Sequence, residues 1–470
     1  MRRQLLERRW PWLVAAGVVA VAFLSTFVEI RLPGDWDRRP RGSAEDIARL
    51  RDRGDLNVLF ILVDTLRAEH LGSYGYERDT SPVLDRLAHS GVRFARHLAQ
   101  SSWTKSSMAS LWTGLYPART GITRYDDVIP DAARMAAEIL HEAGFQTVGL
   151  YRNGWVAPTF GFDQGFEVYQ HPAPRPLPPN VRRENPTVSE RGTDESVIEA
   201  AVEFLRVSGQ QRWFLYLHLM DLHEYVYDEE SALFGASYSG IYDNSIRWTD
   251  STIGLLLESL SALGDLENTL IAVASDHGEA FLERGFEGHA REVYRESTEV
   301  PFLLSLPFRL EPGIVVEART QNVDVWPTIF DLLGLEPPEG IDGRSRLPDI
   351  LSSASGQIPD DGGRIAIADL DRNWSRRNSD PLPTIAVVEG TLRYVRVEHA
   401  GDRRSEQLFD ARDDPRELRD LAAEEPEALE RLRAAADDYY ETEPAWDEAP
   451  TREIGELELN LLRALGYKIE

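Results

Sequence analysis

Five stretches of this chain are dominated by apolar residues for the length of a β-strand: LNVLFILV (56–63), QTVGLY (146–151), WFLYLHL (213–219), NTLIAVAS (268–275) and VPFLLSLP (300–307). A strand with one wet face alternates apolar and polar residues, so near-continuous runs belong to strands buried on both faces. Between the runs lie helical patterns: SPVLDRLAHSG, PDAARMAAEILHEAG, DESVIEAAVEFLR and IRWTDSTIGLLLESLSALG. Strands alternating with helices predict an α/β domain built on a mostly parallel sheet sandwiched by helices. Residues 171–195, rich in Pro and polar groups, read as a long surface loop, and NVDVWPTIFDLLG (322–334) as the helix that closes the main domain. After about residue 365 the texture shifts to TIAVVEGTLRYVRVE, SEQLFDARDDP and PEALERLRAAADDYY, which predicts a small C-terminal antiparallel sheet plus helix. The expected boundaries are a main domain over 55–365 and a C-terminal subdomain over 366–470.

The N-terminus differs in kind. Trp10–Phe27 (WPWLVAAGVVAVAFLSTF) is an 18-residue run without a charge, about the minimum for crossing a bilayer core. Arg2, Arg3, Arg8 and Arg9 precede it and favour a cytoplasmic N-terminus, although Arg31, Arg38, Arg39 and Arg41 follow. A cleaved signal peptide is the rival reading, but no small-x-small site follows the run. We therefore expect an N-terminal transmembrane helix in residues 1–28, a charged linker with one short helix over 29–54, and the rest on the extracytoplasmic side, periplasmic or extracellular. The net charge of -28 argues against nucleic acid as a partner, since nothing in the sequence resembles a basic stripe. With no cysteine, disulfides, thiolate metal sites and a cysteine nucleophile are excluded together.

In open α/β sheets ligands collect at the carboxyl ends of strands. Asp64 follows LNVLFILV, and Asp276 and His277 follow NTLIAVAS. Either aspartate alone reads equally as a turn or cap residue. Two acids and a histidine at one sheet edge are a candidate metal site. A third element is SSWTKSSMASLWTG (101–114), where hydroxyls precede a helix start. They are ordinary N-cap residues, or one of them is a nucleophile at a site where helix N–H groups gather an anion.

NVLFILVDTLRAEHLGSYG, the following stretch to LWTGLYPARTG, and SDHGE with EGHAREVYRESTEVPFLL closely resemble the two signature blocks of the sulfatase family in the alkaline phosphatase superfamily. The resemblance continues through FGFDQGF, HLMDLHEY, DVWPTIFDLLGL, IDGRS, LFDARDDPRELRDLA and LRALGY, and so covers nearly everything after residue 55. It implies an alkaline-phosphatase-like fold and a hydrolase or transferase acting on a phosphate or sulfate ester. Family members carry Cys or Ser in a C/S-x-P-S-R run; counting back from LWTG, that position is Thr104, and the usual arginine is Met108. A threonine there resembles lipoteichoic acid synthases and phosphoethanolamine transferases, which work through a covalent threonine ester. By that resemblance Thr104 is the nucleophile, and a divalent metal is held by Asp64, Thr104, Asp276 and His277. An imidazole among the ligands favours zinc or manganese over calcium. Asp221, His223 and His289 fall in the family's other blocks; His223 or His289 is the expected proton donor to the leaving group, and Lys105 a candidate to neutralise the ester oxygens. The membrane run suggests an ester close to the envelope, in a lipid headgroup or a glycan. The alternatives are a sulfuric ester hydrolase acting on a sulfated glycan, and an inactive membrane-tethered binding protein that kept the fold.

Overall fold

β1 (Asn57–Val63) is buried at all seven positions and lies in the interior of the main sheet. In chain order the other strands are β2 (Val92–Leu98), β3 (Gln146–Tyr151), β4 (Val168–Gln170), β5 (Trp213–Leu219) and β6 (Thr269–Ala274). A short hairpin of β7 (Ala280–Phe281) and β8 (Glu287–Gly288) follows, and then β9 (Phe302–Ser305) and β10 (Ile314–Gln321). The eight-stranded sheet has the order β10-β2-β9-β6-β1-β5-β3-β4. The computed structural model describes residues 36–174, 179, 181, 192–208, 211–359, 363–401, 403–446, 449–463 and 469.

All pairings in this sheet are parallel except those of β9, which runs antiparallel to both β2 and β6. The 300–307 run is thus a buried strand, but of opposite direction. The segment from β6 to β9 turns back on itself through the β7–β8 hairpin, so β9 sets out from the sheet edge that β6 reached. No long helical crossover intervenes, and a parallel neighbour needs one.

β2 and β10 have no counterpart among the apolar runs. β2 mixes buried and half-buried positions, and in β10 Ile314 and Val316 are buried, Val315 and Glu317 exposed. The helix expected over 130–144 is confined to Ala136–Glu142, because the Glu138 carboxylate accepts the Met135 N–H at 2.7 Å and starts the helix there. Helices Pro82–Ser90, Asp194–Ser208, Tyr238–Leu263 and Val325–Leu333 lie where the patterns place them, with the third beginning upstream of its pattern and Asp194 and Glu195 lost from the predicted loop. Most of that loop, and the 10–28 run, lie outside the described residues. Among the described residues no helix is long and apolar enough to cross a membrane. From Arg39 on, the stretch read as linker is packed: the Arg39 guanidinium donates to the Leu306 carbonyl at 2.6 Å, and Ile47 and Leu50 are buried in the core.

The C-terminal sheet is an antiparallel meander of β11 (Ile365–Asp371), β12 (Pro383–Glu389), β13 (Leu392–His399) and β14 (Arg403–Asp410), with helix Pro426–Tyr440 against it. On the main sheet an aromatic cluster fills one face: Trp112 stacks on Trp326 with centroids 5.1 Å apart, and Phe60 meets both edge-on.

One buried carboxylate ties several elements together. Asp324 accepts the Nε and Nη2 of Arg346 at 2.9 and 2.8 Å, Arg364 at 2.8 Å, and the N–H groups of Gln321 and Arg344. Burial alone would raise its pKa, but the two guanidinium groups hold it below the ordinary range. Removing one partner of such a pair strands a buried charge. Asp324→Ala should therefore lose about 3–5 kcal/mol of unfolding free energy. Glu389→Gln, at the exposed pair with Arg431, should lose under about 1 kcal/mol. Urea titrations compare the two, and equal losses would show that Asp324 is not a structural hub.

Candidate active site

The ladder between β1 and β6 sets Leu62 abreast of Ala274, so Asp64 and Asp276, each two residues further on, leave the sheet side by side. Helix Thr104–Thr113 begins against the same edge. Its N-cap is Trp103, so Thr104 does not cap; its Oγ1 lies 3.1 Å from His277 Nε2 and 3.4 Å from the Asn153 amide nitrogen. Asp64, Asp276 and His277 offer ligand atoms within 4.8 Å of one another, and all three are buried. Thr104 and the expected ligand triad are thus one cluster.

Each imidazole has a defined role. His277 Nδ1 faces the Gly278 carbonyl at 3.0 Å, an acceptor only, so Nδ1 carries the proton and the Nε2 lone pair faces the cluster. That lone pair lies 3.3 Å from Asp276 Oδ2 and 3.9 Å from Asp64 Oδ1. Those two oxygens are buried without a hydrogen-bond partner among the described residues. The other Asp64 oxygen accepts from Asn153 at 2.6 Å and from His218 Nε2 at 3.1 Å, and His218 in turn takes the Tyr216 hydroxyl.

The electrostatics point the same way. Burial would raise Asp64, but the His218 hydrogen bond and the His223 and His277 rings hold it well below the carboxylate range. Asp276 is pushed up, first by burial and then by Asp64. Two buried acids driven apart lack a compensating charge. Orphaned oxygens, a bare imidazole nitrogen and a hydroxyl converging on one point are a donor set that fits a divalent cation.

Backbone strain clusters here. Thr65, Tyr225, Leu282 and Ala290 all have positive φ, at 61, 54, 70 and 58°, unusual for residues with a Cβ and most of all for β-branched Thr65. Tyr242, on the long helix, latches the first of them: its hydroxyl donates to the Thr65 carbonyl at 2.7 Å and accepts the Arg67 N–H at 2.9 Å.

His289 and His223 form a second layer. The His289 ring packs on His277 with centroids 4.5 Å apart and on His223 at 4.9 Å. Its Nδ1 lies 3.2 Å from a Glu279 carboxylate oxygen. Burial would raise Glu279, but His289 and its neighbours outweigh it and hold the acid below its usual range. The two histidines border an open cleft of about 680 Å³ that Tyr225, Phe286 and Arg291 also line.

One expectation is corrected. Lys105 is adjacent to Thr104 in sequence but its amine goes elsewhere, onto the Tyr125 carbonyl at 2.7 Å and the Phe160 ring face at 3.8 Å. Burial pulls it down to about 7, and it cannot neutralise ester oxygens from there. Asp221, from the same family block as His223, accepts Arg152, Trp248 Nε1 and the Asp194 N–H in a buried network that anchors the loop carrying His223. Conversely, Asn153, His218 and Glu279 join the site unannounced. A signal existed for the first two: Asn153 follows an apolar run as Asp64 does, and His218 is the polar residue inside WFLYLHL.

The family model that matches this chain is Sulfatase, over residues 56–335. An ulvan-active sulfatase from Formosa agariphila is 27% identical over 328 residues, covering 61% of this chain and 63% of that protein. N-acetylgalactosamine-6-sulfatase from Canis lupus familiaris is 28% identical over 354 residues, covering 65% and 67%. The chain thus spans about two-thirds of the length of these curated relatives. Among solved structures, phosphonate monoester hydrolase from Agrobacterium radiobacter superimposes with a TM-score of 0.62 at 20% identity, over 81% of this chain and 94% of that one. With the family model matched over more than half its length, on the sheet edge that gathers Asp64, Thr104, Asp276 and His277, the chain belongs to the sulfatase family.

Proposed function

We propose that this chain is a metal-dependent hydrolase of sulfuric esters borne on a sugar, with the Thr104 hydroxyl as the attacking group. The observation that carries this reading is the placement of Thr104 Oγ1 beside His277 Nε2, at a buried point toward which two carboxylates present unpartnered oxygens. The sugar sulfate is supported by the activities named for the ulvan and N-acetylgalactosamine relatives. Asp64, Thr104, Asp276 and His277 would hold a divalent cation, zinc or manganese by the imidazole ligand, whose positive charge would make the hydroxyl more acidic and the ester more electrophilic. Asn153 directs its amide at both Asp64 and Thr104 and so holds the hydroxyl beside the carboxylate. Thr104 Oγ1 gives its proton to water and bonds to sulfur as the sulfur–oxygen bond to the sugar breaks. The leaving oxygen takes a proton from His289 or His223, His289 being held by Glu279. Water then attacks the sulfur of the threonine ester and releases sulfate.

A second reading, hydrolysis or transfer of a phosphoric ester, is favoured by Thr104 itself. A threonine ester is released only by a second attack at the central atom, since its carbon bears no second hydroxyl through which it could collapse. Phosphomonoesters, phosphodiesters and sulfate esters assayed side by side decide between the two. The localisation belongs to the same proposal: residues 10–28 anchor the protein in a single pass, with the site on the extracytoplasmic side.

Thr104→Ala should abolish turnover and leave the fold intact, while Thr104→Ser keeps measurable activity. Asp276→Ala should lose both activity and the roughly one equivalent of zinc or manganese measured by elemental analysis. Full activity in Thr104→Ala, or full metal in Asp276→Ala, would remove the mechanism. His289→Asn should slow esters of poor alkyl leaving groups by about 10²-fold or more and nitrophenyl esters far less, because only the former need a proton. An equal effect on both would take His289 out of that role. On fractionation the full chain should sediment with membranes and a chain starting at residue 39 should not; recovery of the full chain in the soluble fraction refutes the anchor.

A further inference from the structure

Away from the active site, the seam between the main sheet and the C-terminal sheet encloses a cavity of about 190 Å³. Arg96 from β2, Arg319 from β10, Arg295, and Arg393 from β13 line it, against the carboxylates of Glu299 and Glu417. Four guanidinium groups thus face two carboxylates, in a chain whose net charge is -28.

The pairing inside the cavity is incomplete. Glu299 Oε1 accepts Arg319 Nη1 at 2.5 Å and Arg393 Nη2 at 2.6 Å, so one oxygen serves two cations. Glu417 is taken by Arg393 Nε at 2.7 Å. Among the described residues Arg96 is held by a neutral acceptor, the Glu317 carbonyl, at 2.9 Å from Nε and 2.5 Å from Nη2. Arg295 turns partly outward to Glu69 at 3.1 Å. Arg319 is only 4% exposed, and its Nε has no hydrogen-bond partner among the described residues. Its pKa is lowered by burial, with Arg393 adding to the effect against Glu299. A buried guanidinium edge without an acceptor is costly to desolvate, and an arginine fork matches the oxygen spacing of sulfate or phosphate. At about 30 Å³ per water the cavity has room for such an ion and a few waters.

We propose that this cavity is a binding site for a small tetrahedral oxyanion, sulfate or phosphate, distinct from the candidate active site. Arg319 Nε and Arg96 supply its donors, and the ion bridges the two sheets.

Isothermal titration of the full chain with inorganic sulfate and inorganic phosphate, against chloride at matched ionic strength, tests this. A saturable site should appear that Arg96→Gln weakens at least tenfold and that Asp276→Ala, which disrupts the active site, leaves in place. Turnover of Arg96→Gln should match that of the parent, and Arg295→Gln provides a second, independent change in the wall. The proposal falls if no saturable heat exceeds that of chloride. It also falls if Asp276→Ala abolishes the heat while Arg96→Gln and Arg295→Gln do not, which would assign the ion to the active site.

Discussion

The ladder that holds β1 against β6 brings two strands to their ends in step, and each strand ends on a carboxylate. Parallel strands with both faces covered have no freedom to slide, since a shift of one residue would turn every side chain to the opposite face. The distance between Asp64 and Asp276 is therefore a property of the sheet rather than of the loops. Burying both acids creates a charge problem that His277, His218 and Asn153 answer only in part. What remains unanswered, two oxygens without a hydrogen-bond partner among the described residues, is the site's appetite for a cation.

Much of this was legible because the site sits where apolar runs stop. Asp64, Asp276 and His277 follow within three residues of the ends of their strands, and Thr104 stands where a helix begins. Lys105 misled because adjacency in sequence is not adjacency on a helix, where successive side chains point about 100° apart at 3.6 residues per turn. Its amine accordingly lands on Phe160. Glu279 was hidden for the complementary reason: ten residues separate it from His289, and only the β7–β8 hairpin folds them together. Strand direction was equally hidden. Nothing in VPFLLSLP says whether it runs with or against β6, because that depends on where the intervening segment turns.

The C-terminal sheet shows a different economy of charge. Where the main sheet packs aromatic rings, the seam to the smaller sheet is laced with buried arginines and glutamates, among them Arg393 with Glu299 and Glu417. Such pairs add little net stability over apolar packing, but each is demanding in geometry. They orient the small sheet by direction as well as by contact area.

The left-handed Thr65 beside Asp64 costs about 1–3 kcal/mol relative to an ordinary conformation. The two hydrogen bonds of Tyr242 return a comparable amount, at about 0.5–1.5 kcal/mol each. The loop is in effect a set spring, and the long helix Tyr238–Leu263 is its catch. Because the spring is wound during folding, an arriving ester meets an aspartate already aimed, and none of its own binding energy goes into bending the backbone.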